Sequence, residues 1–548
     1  MANLKGIIDS IRKIMWQDTG LNGDAQRVEQ LGWMLFLKIF SDKDKELEVL
    51  NDAYVSPIPE ALHWDAWAGD DEGITGDELI EFVDRRLFPE LRNLAIGYTD
   101  DLANKRAKIV KEVFEGNNNY MKSGINIRKV LNKLNEIDFN IAKDRHAFGE
   151  LYETILKELQ SAGKSGEFYT PRAITEFICE MINPQLDEKI LDPSCGTGGY
   201  LTAAIEHLKD QANSVEERES IAQNVIGWEY KPLPYLLATT NLILHDMEVP
   251  NITFRDSLDQ PLSNYTEKNR VDAILANPPF GGIVANNNEN NFPQSYRTKE
   301  SADLFLVLMI HLLKKGGRAG IVLPDGSLTG DGVKQRVRQR LLEECNLHTI
   351  IRLPNSVFQP YATVATNLLF FTKGEPTSEI WYYEHRLPEG QKAYSKTRPI
   401  NISEFEPIKD WWNKREESEI CWKVNIKERI AEAKQKAETY WDKAEEANKT
   451  ISRLKAELAG INQKIKDDAT LEKRKKSKLK DIQEQEVLAK NNQQTGDNIY
   501  YQAFDLDIKN PHKKEEAVEY SSSELMLMLE NSFAQSAKLL NQLKEVVK

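Results

Sequence analysis

The stretch Asn277-Pro278-Pro279-Phe280 combines residue types that could hold a flat aromatic group carrying an amino group. It follows an apolar run, Val271 to Ala276, that predicts a buried strand of a parallel sheet. Ligands of open α/β sheets bind just beyond the carboxyl ends of such strands. The Asn277 amide oxygen and the Pro278 carbonyl could accept the two amino hydrogens, and Phe280 offers a ring face. A proline-rich turn with a buried phenylalanine explains these four residues equally well.

A second candidate site is the glycine-rich stretch from Asp192 to Gly199. It lies between a predicted short strand, Lys189 to Leu191, and a predicted helix, Tyr200 to Leu208. In this order, glycines let the backbone approach a ligand and the helix N-terminus favours a negative group. Leu201 stands where the third glycine of the dinucleotide fingerprint would be. The stretch therefore predicts a nucleotide cofactor site of another kind.

Two acids follow the next predicted strands. Glu229 ends the strand Asn224 to Trp228, and Asp256 ends the strand Asn251 to Arg255. An acid at the tip of the second strand can take a ribose diol. For Glu229, an ordinary surface glutamate is an equally good interpretation.

These candidate residues need a parallel sheet with helices on both faces to hold them. Thr170 and Pro171 are predicted as the N-cap and first residue of a helix that runs from 173 to 182. Strands and helices alternate from there, with polar residues at strand tips, which predicts a doubly wound α/β domain at 151–425. Beyond Phe280 we expect helices at 302–315 and 333–344 and strands at 319–323, 349–353 and 366–372.

The two flanking regions read as helical. Residues 1–150 form a predicted helical domain without chemistry of its own. In 426–548, apolar steps of three and four from Ile430 to Ile465 predict a coiled-coil helix, and a second helix after Asp467-Asp468 could fold back as a hairpin. The basic run 473–476 is expected to face solvent. Ser521 and Glu524 predict a capping box for a last amphipathic helix, which packs on its own domain or docks on a partner.

Composition restricts the class of protein. The 548 residues are 40% hydrophobic and 29% charged, which is typical of a soluble globular chain. We expect no membrane span, no signal peptide and a cytoplasmic location, since the four cysteines are scattered and unpaired. Neither cysteines nor histidines have metal-ligand spacing, so no metal site is predicted. The net charge of −14 argues against strong independent binding to DNA phosphates.

Three motifs stand in order along the chain: 166–172 (Gly-Glu-Phe-Tyr-Thr-Pro-Arg), 192–199 and 277–280. In this combination the sequence resembles the adenine-specific DNA methyltransferases that use S-adenosyl-L-methionine, and more closely the modification subunit of type I restriction-modification systems. The resemblance covers nearly the whole chain. Cys195 departs from the family, in which small residues such as alanine are usual.

The resemblance implies roles for individual residues. Asn277 and the Pro278 carbonyl would accept from the amino group of a target adenine, and Phe280 would stack on its ring. Glu229 would take the cofactor ribose and Asp256 the cofactor adenine, and the stretch 358–361 would lie near the base. The implied cofactor-binding residues are Phe168, Tyr169, Thr170, Asp192, Ser194, Gly196, Thr197, Gly198, Gly199, Glu229, Asp256 and Asn277.

The family also implies partners: a specificity subunit, a second copy of this chain, a restriction (motor and nuclease) subunit and double-stranded DNA. The interval between Lys373 and Ile430 shows no second α/β or β-rich pattern that could read a DNA site. Two other interpretations stay open. An RNA or protein methyltransferase shares the Asn-Pro-Pro-aromatic motif, although the 166–171 motif and the helical tail count against it. A non-catalytic scaffold would not need the intact glycine loop.

Overall fold

The computed structural model describes most of the chain. The described residues are 4–139, 152, 170–285, 287–359, 364–395, 397–464, 469–512 and individual positions between 525 and 540. Within them, none of the helices combines the length and apolar character needed to cross a bilayer.

The N-terminal region is helical, as predicted. A π-helical turn, Val83–Leu87, joins its fourth and fifth helices. In the first helix the apolar stripe Ile7, Ile8, Ile11 and Met15 is buried, and in the second every residue from 31 to 40 is buried. The helices are α1 (Leu4–Trp16), α2 (Asp24–Leu50), α3 (Trp64–Trp67), α4 (Gly76–Phe82), α5 (Phe88–Arg92), α6 (Leu102–Gly116) and α7 (Gly124–Asn135).

A nine-stranded sheet forms the centre of the described chain, in the order β3-β2-β1-β4-β5-β7-β6-β8-β9. The strands from β3 to β5 are parallel, whereas β7 runs antiparallel to both neighbours and β9 runs antiparallel to β8. The strands are β1 (Ile190–Asp192), β2 (Val225–Glu229), β3 (Ile252–Phe254), β4 (Val271–Ala276), β5 (Leu313–Pro324), β6 (Cys345–Arg352), β7 (Thr366–Lys373), β8 (Glu379–Glu384) and β9 (Cys421–Asn425).

Helices cover both faces of the sheet. Successive residues of β4 point to opposite faces, so Ala273 and Leu275 enter one hydrophobic core while Ile274 and Ala276 enter the other. This confirms the doubly wound α/β class with helical regions on either side. The helices are α8 (Arg172–Ile182), α9 (Gly199–Lys209), α10 (Val215–Asn224), α11 (Pro232–Leu244), α12 (Ser301–Leu312), α13 (Asp325–Leu328), α14 (Val333–Glu344), α15 (Glu406–Asn413), α16 (Ile426–Lys464) and α17 (Ala469–Gln502).

One predicted helix boundary was wrong, and two strands were missed. The helix expected to end at Lys315 ends at Leu312, and β5 starts at Leu313, pairing with Val271 of β4. The interval after Lys373 contains β8 and β9, which add two strands to the same sheet rather than forming a second domain. Aromatic packing holds these strands together, since the Tyr382 and Trp422 rings stack with centroids 5.1 Å apart. Short aromatic strands at a sheet edge give little periodic signal.

The N-terminal helices pack directly on helices that cover the nine-stranded sheet. A Cβ on Gly32 of α2 would lie 3.0 Å from a Leu236 methyl of α11, so the two helices approach closely there. The buried Arg106 of α6 pairs with Asp44 and donates to the Glu248 carbonyl at 2.7 Å. One continuous apolar core therefore spans both regions.

The predicted hairpin is present. α16 and α17 pack along each other, and Trp441 donates to Asp497 across the pair at 2.9 Å. The seam residues Ala444, Ala447 and Ile451 are buried inside the hairpin, so this seam is used within the chain. The predicted turn at 467–468 and the capping box at 521–524 lie outside the described residues.

Beyond α17 the chain returns to the sheet. Leu506 N–H donates to the Leu328 carbonyl at 3.0 Å, and the buried Arg338 donates to the Phe504 carbonyl at 2.7 Å. Arg352 donates to the Ile508 carbonyl at 2.9 Å. At the other end, Ile426 N–H donates to the Ser378 carbonyl at 2.9 Å, so the hairpin is anchored to the sheet at both ends.

Candidate active site

A cleft opens at the carboxyl ends of β1, β2 and β4. It brings together residues from six separate stretches of the chain. Of the predicted cofactor residues, those that line it are Thr170, Asp192, Ser194, Gly196, Thr197, Gly199, Glu229 and Asn277, and Pro278 lines it as well.

The carboxylate of Glu229 is held at one wall of the cleft by three backbone N–H groups. Gly196 donates to one oxygen at 2.9 Å, while Tyr230 and Lys231 donate to the other at 2.9 and 2.8 Å. A carboxylate has about four acceptor positions, so one remains for a ligand hydroxyl. Burial raises the pKa of Glu229 to about 7, against the lowering effect of these hydrogen bonds.

A second acid, Asp192, lies at the tip of β1. It is fully buried, and burial raises its pKa to about 8, although the Ser194 N–H donates to it at 3.0 Å. The side-chain oxygens of Ser194 and Tyr200 are also buried and have no hydrogen-bond partner among the described residues. Both residues line the cleft, so its wall offers two carboxyls and two hydroxyls to a polar ligand.

Asn277 lies at the tip of β4 with its amide in a defined orientation. Its Nδ2 donates to the Thr170 hydroxyl at 2.9 Å, and its Oδ1 is buried without a partner among the described residues. The N-cap prediction for Thr170 was wrong, because the helix begins at Arg172 with Pro171 as its N-cap. The Thr170 hydroxyl instead fixes the Asn277 amide, which leaves the amide oxygen as a buried acceptor that a ligand could use.

Phe280 is buried behind the cleft lining. Its ring meets that of Phe358 edge to face, with centroids 6.4 Å apart. Phe358 therefore contacts the Asn-Pro-Pro-Phe motif, and its place near the base stays a prediction. Pro360 and Tyr361 lie outside the described residues, as do Phe168 and Tyr169.

Two predicted cofactor residues lie away from the cleft. Gly198 has φ +81°, and a Cβ there would lie 3.1 Å from the Leu242 side chain of α11, so this glycine serves the turn and its packing. Asp256 accepts from Asn288 Nδ2 at 2.8 Å and from the Leu258 N–H at 2.9 Å. Its carboxylate is thus engaged in holding the loop that follows the Asn-Pro-Pro-Phe motif.

Sequence reasoning missed several residues of the cleft wall. Trp228 precedes Glu229, Tyr230 and Lys231 follow it, and Ser257 follows Asp256, so adjacency to the strand-tip acids could have indicated them. Phe305 of α12 has no such signal. The missed lining residues are Thr175, Tyr200, Trp228, Tyr230, Lys231, Pro234, Arg255, Ser257, Pro279 and Phe305.

A glycine turn after β1, an acid after β2 and Asn-Pro-Pro-Phe after β4 define a methyltransferase-class α/β enzyme. The family model for N-6 DNA methylases matches residues 143–449, and that for the HsdM N-terminal domain matches residues 4–134. The chain is 50% identical to the Escherichia coli type I restriction enzyme EcoEI methylase subunit over 438 residues, which are 78% of this chain and 88% of the relative.

Solved structures agree. A modification subunit ascribed to a type I restriction enzyme of Vibrio vulnificus YJ016 is 42% identical with a TM-score of 0.70, over 78% of this chain and 92% of that one. A chain from a structure on complex assembly and conformational transition of the type I R-M system is 29% identical with a TM-score of 0.70, over 99% and 98%. The chain belongs to the N-6 DNA methylase family, as an adenine-specific methylase subunit of the type I restriction-modification kind, which confirms the resemblance.

Proposed function

We propose that this chain uses S-adenosyl-L-methionine to methylate the amino group of an adenine flipped out of duplex DNA, at sites chosen by a specificity subunit. The observation that carries the proposal is the orientation of Asn277. Its amide nitrogen is occupied by Thr170, and its buried oxygen has no partner among the described residues. A buried acceptor in that state is costly unless a ligand donor meets it.

The cleft fits the proposed cofactor. A side chain at Gly196, which has φ +55°, would point into open space, so the glycine leaves room for a ligand against the backbone. Glu229 retains an acceptor position for a ribose hydroxyl, and Asp192 offers a carboxylate to an ammonium group. The hydroxyls of Ser194 and Tyr200 complete the polar wall.

The residues that follow β4 supply the proposed chemistry. The amino nitrogen of adenine is a weak nucleophile, because its lone pair is delocalised into the ring. Asn277 Oδ1 and the Pro278 carbonyl, both accepting from the amino group, favour its pyramidal form and stabilise the positive charge that develops during attack. S-adenosylmethionine, when bound, supplies a methyl group on a positively charged sulfur. Holding the nitrogen in line with that methyl group contributes much of the rate.

The base must leave the duplex to reach this cleft, because the amino group of a stacked adenine is inaccessible at this depth. Phe280 is the proposed stacking partner. In this structure its ring is buried against Phe358, so capture of the base requires the two rings to separate or the base to enter beside them.

Site choice is assigned to a partner for two reasons. The strands after Lys373 complete the catalytic sheet and leave no separate recognition domain in the described chain. The net charge of −14 opposes tight independent binding to DNA. We propose a complex with a specificity subunit, a second copy of this chain and a restriction subunit on duplex DNA in the cytoplasm, with the domain limits 1–150, 151–425 and 426–548 given above.

We assign docking to the C-terminal helical segment, of which the structure describes individual positions between 525 and 540. Its described apolar residues are exposed, whereas the hairpin seam is already buried within the chain. The exposed residues are Leu525, Met526, Leu527, Leu529, Phe533 and Leu540. An exposed, largely apolar segment of this kind is suited to packing on another protein.

Reconstitution tests this assignment. The purified chain should bind S-adenosylmethionine but methylate duplex DNA weakly, and adding the specificity subunit should give site-specific N6-methyladenine. Truncation after His512 should keep cofactor binding and lose the complex in gel filtration. This cut is cleaner than removal of everything from Asn425, which would also take the return segment that packs on the sheet. Efficient, sequence-specific methylation by the isolated chain would contradict the proposal.

A further inference from the structure

Ile283 lies three residues beyond Phe280, with its side chain in solvent. It is 82% exposed, which makes it the most exposed isoleucine among the described residues. Its neighbour Val284 is buried in the core that contains α12. Because Val284 points inward, its neighbour Ile283 points outward. Ile283 therefore projects a branched apolar side chain from the protein beside the active-site motif.

The backbone on both sides of Ile283 is held in place. Val284 N–H donates to the Lys299 carbonyl at 3.0 Å, and Ser301 N–H donates to the Gly282 carbonyl at 3.2 Å. The Ser301 hydroxyl also donates to the Pro279 carbonyl at 2.8 Å. Ile283 is thus an apolar side chain on a fixed backbone bridge, which is unlike an exposed residue on a loose loop.

The two glycines before Ile283 permit this geometry. Gly281 has φ +64°, a conformation that residues with a Cβ rarely adopt. A Cβ on Gly282 would lie 2.9 Å from the Ser301 hydroxyl, so only glycine allows that close approach. The turn therefore connects the active-site motif rigidly to the position of Ile283.

The position suits an insertion into DNA. Three residues of chain span at most about 10 Å, so the Ile283 backbone lies within about 10 Å of Phe280, roughly the rise of three base pairs. A flipped base leaves a gap in the stack, and isoleucine is among the apolar side chains that proteins insert between base steps. The backbone constraint means that little conformational entropy is lost on insertion.

We infer that Ile283 enters the space vacated by the target adenine and stabilises the extrahelical base. Ile283 is then a positioning residue that acts on the flipping equilibrium and not on methyl transfer itself. The inference rests on the proposed function, since it requires an adenine taken from a duplex.

The test uses the complete complex with its specificity subunit and compares two DNA substrates. One carries the target adenine paired with thymine, and the other carries it opposite an abasic site, where flipping costs less. Ile283→Ala should lower kcat/KM on the paired substrate by about tenfold, the loss that corresponds to part of one unstacking step. On the abasic substrate the variant should reach at least about a third of the wild-type value.

Further variants separate insertion from folding. Ile283→Leu, which keeps apolar bulk, should retain most activity, and Ile283→Asn should behave like the alanine variant. Ile125→Ala on α7 is the matched control, since Ile125 is also exposed, and it should match wild type. With 2-aminopurine at the target position, the fluorescence gain on binding should be smaller for Ile283→Ala than for wild type. For Ile125→Ala the gain should equal that of wild type.

If the wild-type complex is active and Ile283→Ala loses equally on both substrates, the insertion role is overturned. It is also overturned if Ile283→Ala loses no activity. A wild-type complex that methylates neither substrate would instead refute the proposed function. The two failures are therefore distinguishable in one set of reactions.

Discussion

The two halves of the cleft differ in how their carboxylate and amide acceptors are held. On the cofactor side, Glu229 accepts three backbone N–H groups and Asp192 accepts another, so the acids are fixed before any ligand arrives. On the base side, Asn277 Oδ1 lacks a partner among the described residues and Phe280 is buried against Phe358. The acids proposed to bind the cofactor are held by backbone groups at strand tips, whereas the acceptor proposed to bind the base has no partner among the described residues.

The difference has an energetic reason. The cofactor is the same in every turnover, so fixed donors and acceptors reduce the entropy lost when it binds. The target base arrives attached to DNA and must first be unstacked. A base side that is complete only with adenine present places its best interactions in the reacting complex, where they accelerate the reaction.

Asn277→Ala gives the largest expected effect and tests the base side. Removing one of two acceptors on the amino group should lower the single-turnover methylation rate by about a hundredfold or more, by analogy with losing one oxyanion-hole donor. Cofactor affinity, measured by calorimetry, should change far less than the methylation rate. A variant that methylates adenine near the wild-type rate would show that Asn277 is structural.

A pair of glycine variants tests the cofactor side. Asparagine tolerates positive φ, so Gly196→Asn should fold and yet place a side chain in the cleft, weakening S-adenosylmethionine binding by about tenfold or more. Gly198→Asn should press on Leu242 instead and lower the free energy of unfolding by about 1–3 kcal/mol.

Calorimetry and thermal unfolding of both glycine variants separate the two roles. Equal affinity in a folded Gly196→Asn variant would contradict the proposed cofactor site. A Gly198→Asn variant that loses affinity without losing stability would return Gly198 to the cofactor-binding residues.

The pH dependence of cofactor binding gives a smaller, graded test. Burial raises the pKa of Asp192 to about 8 and of Glu229 to about 7, so both are largely protonated below pH 7. A cationic cofactor favours the ionised forms, and binding should release protons. Affinity should rise by about tenfold per pH unit for each group that deprotonates and level off above about pH 8.

The raised pKa values of Asp192 and Glu229 have the opposite pH effect on the stability of the unliganded chain. A carboxyl whose pKa is higher in the folded state stabilises that state at pH values below its unfolded pKa. This stabilisation is lost as the pH rises through the folded-state pKa. Stability without cofactor should therefore fall from about pH 4 to pH 8 for these two groups, while cofactor affinity rises at the upper end. Calorimetry in buffers of different ionisation enthalpy measures the released protons, and a pH-independent affinity would remove these acids from the site.

Local sequence was sufficient for features confined to one strand and its turn. Buried strands are apolar runs, and each run ends where the chain leaves the sheet. The polar residues Asn277 and Glu229 at the ends of two such runs could therefore be placed at strand tips. Contacts between distant segments were not accessible in this way. Thr170 meets Asn277 across 107 residues of sequence, and Asp256 turns to Asn288 because a later loop folds over it.

The same limit explains the flanking regions. The seam of α16 was visible as a repeat, but whether it packs on α17 or on another protein depends on the tertiary structure. Gly198 looked like its neighbours in the loop, and only the position of α11 shows that it faces Leu242.

The most direct test of the central claim is identification of the atom that receives the methyl group. The complex with its specificity subunit is given methyl-labelled S-adenosylmethionine and a mixture of duplex DNA, RNA and protein, and the products are resolved by mass spectrometry. Recovery of the label as N6-methyladenine in the duplex is the predicted result. Label in RNA or in a protein side chain, or bound cofactor without transfer to adenine, would contradict the account.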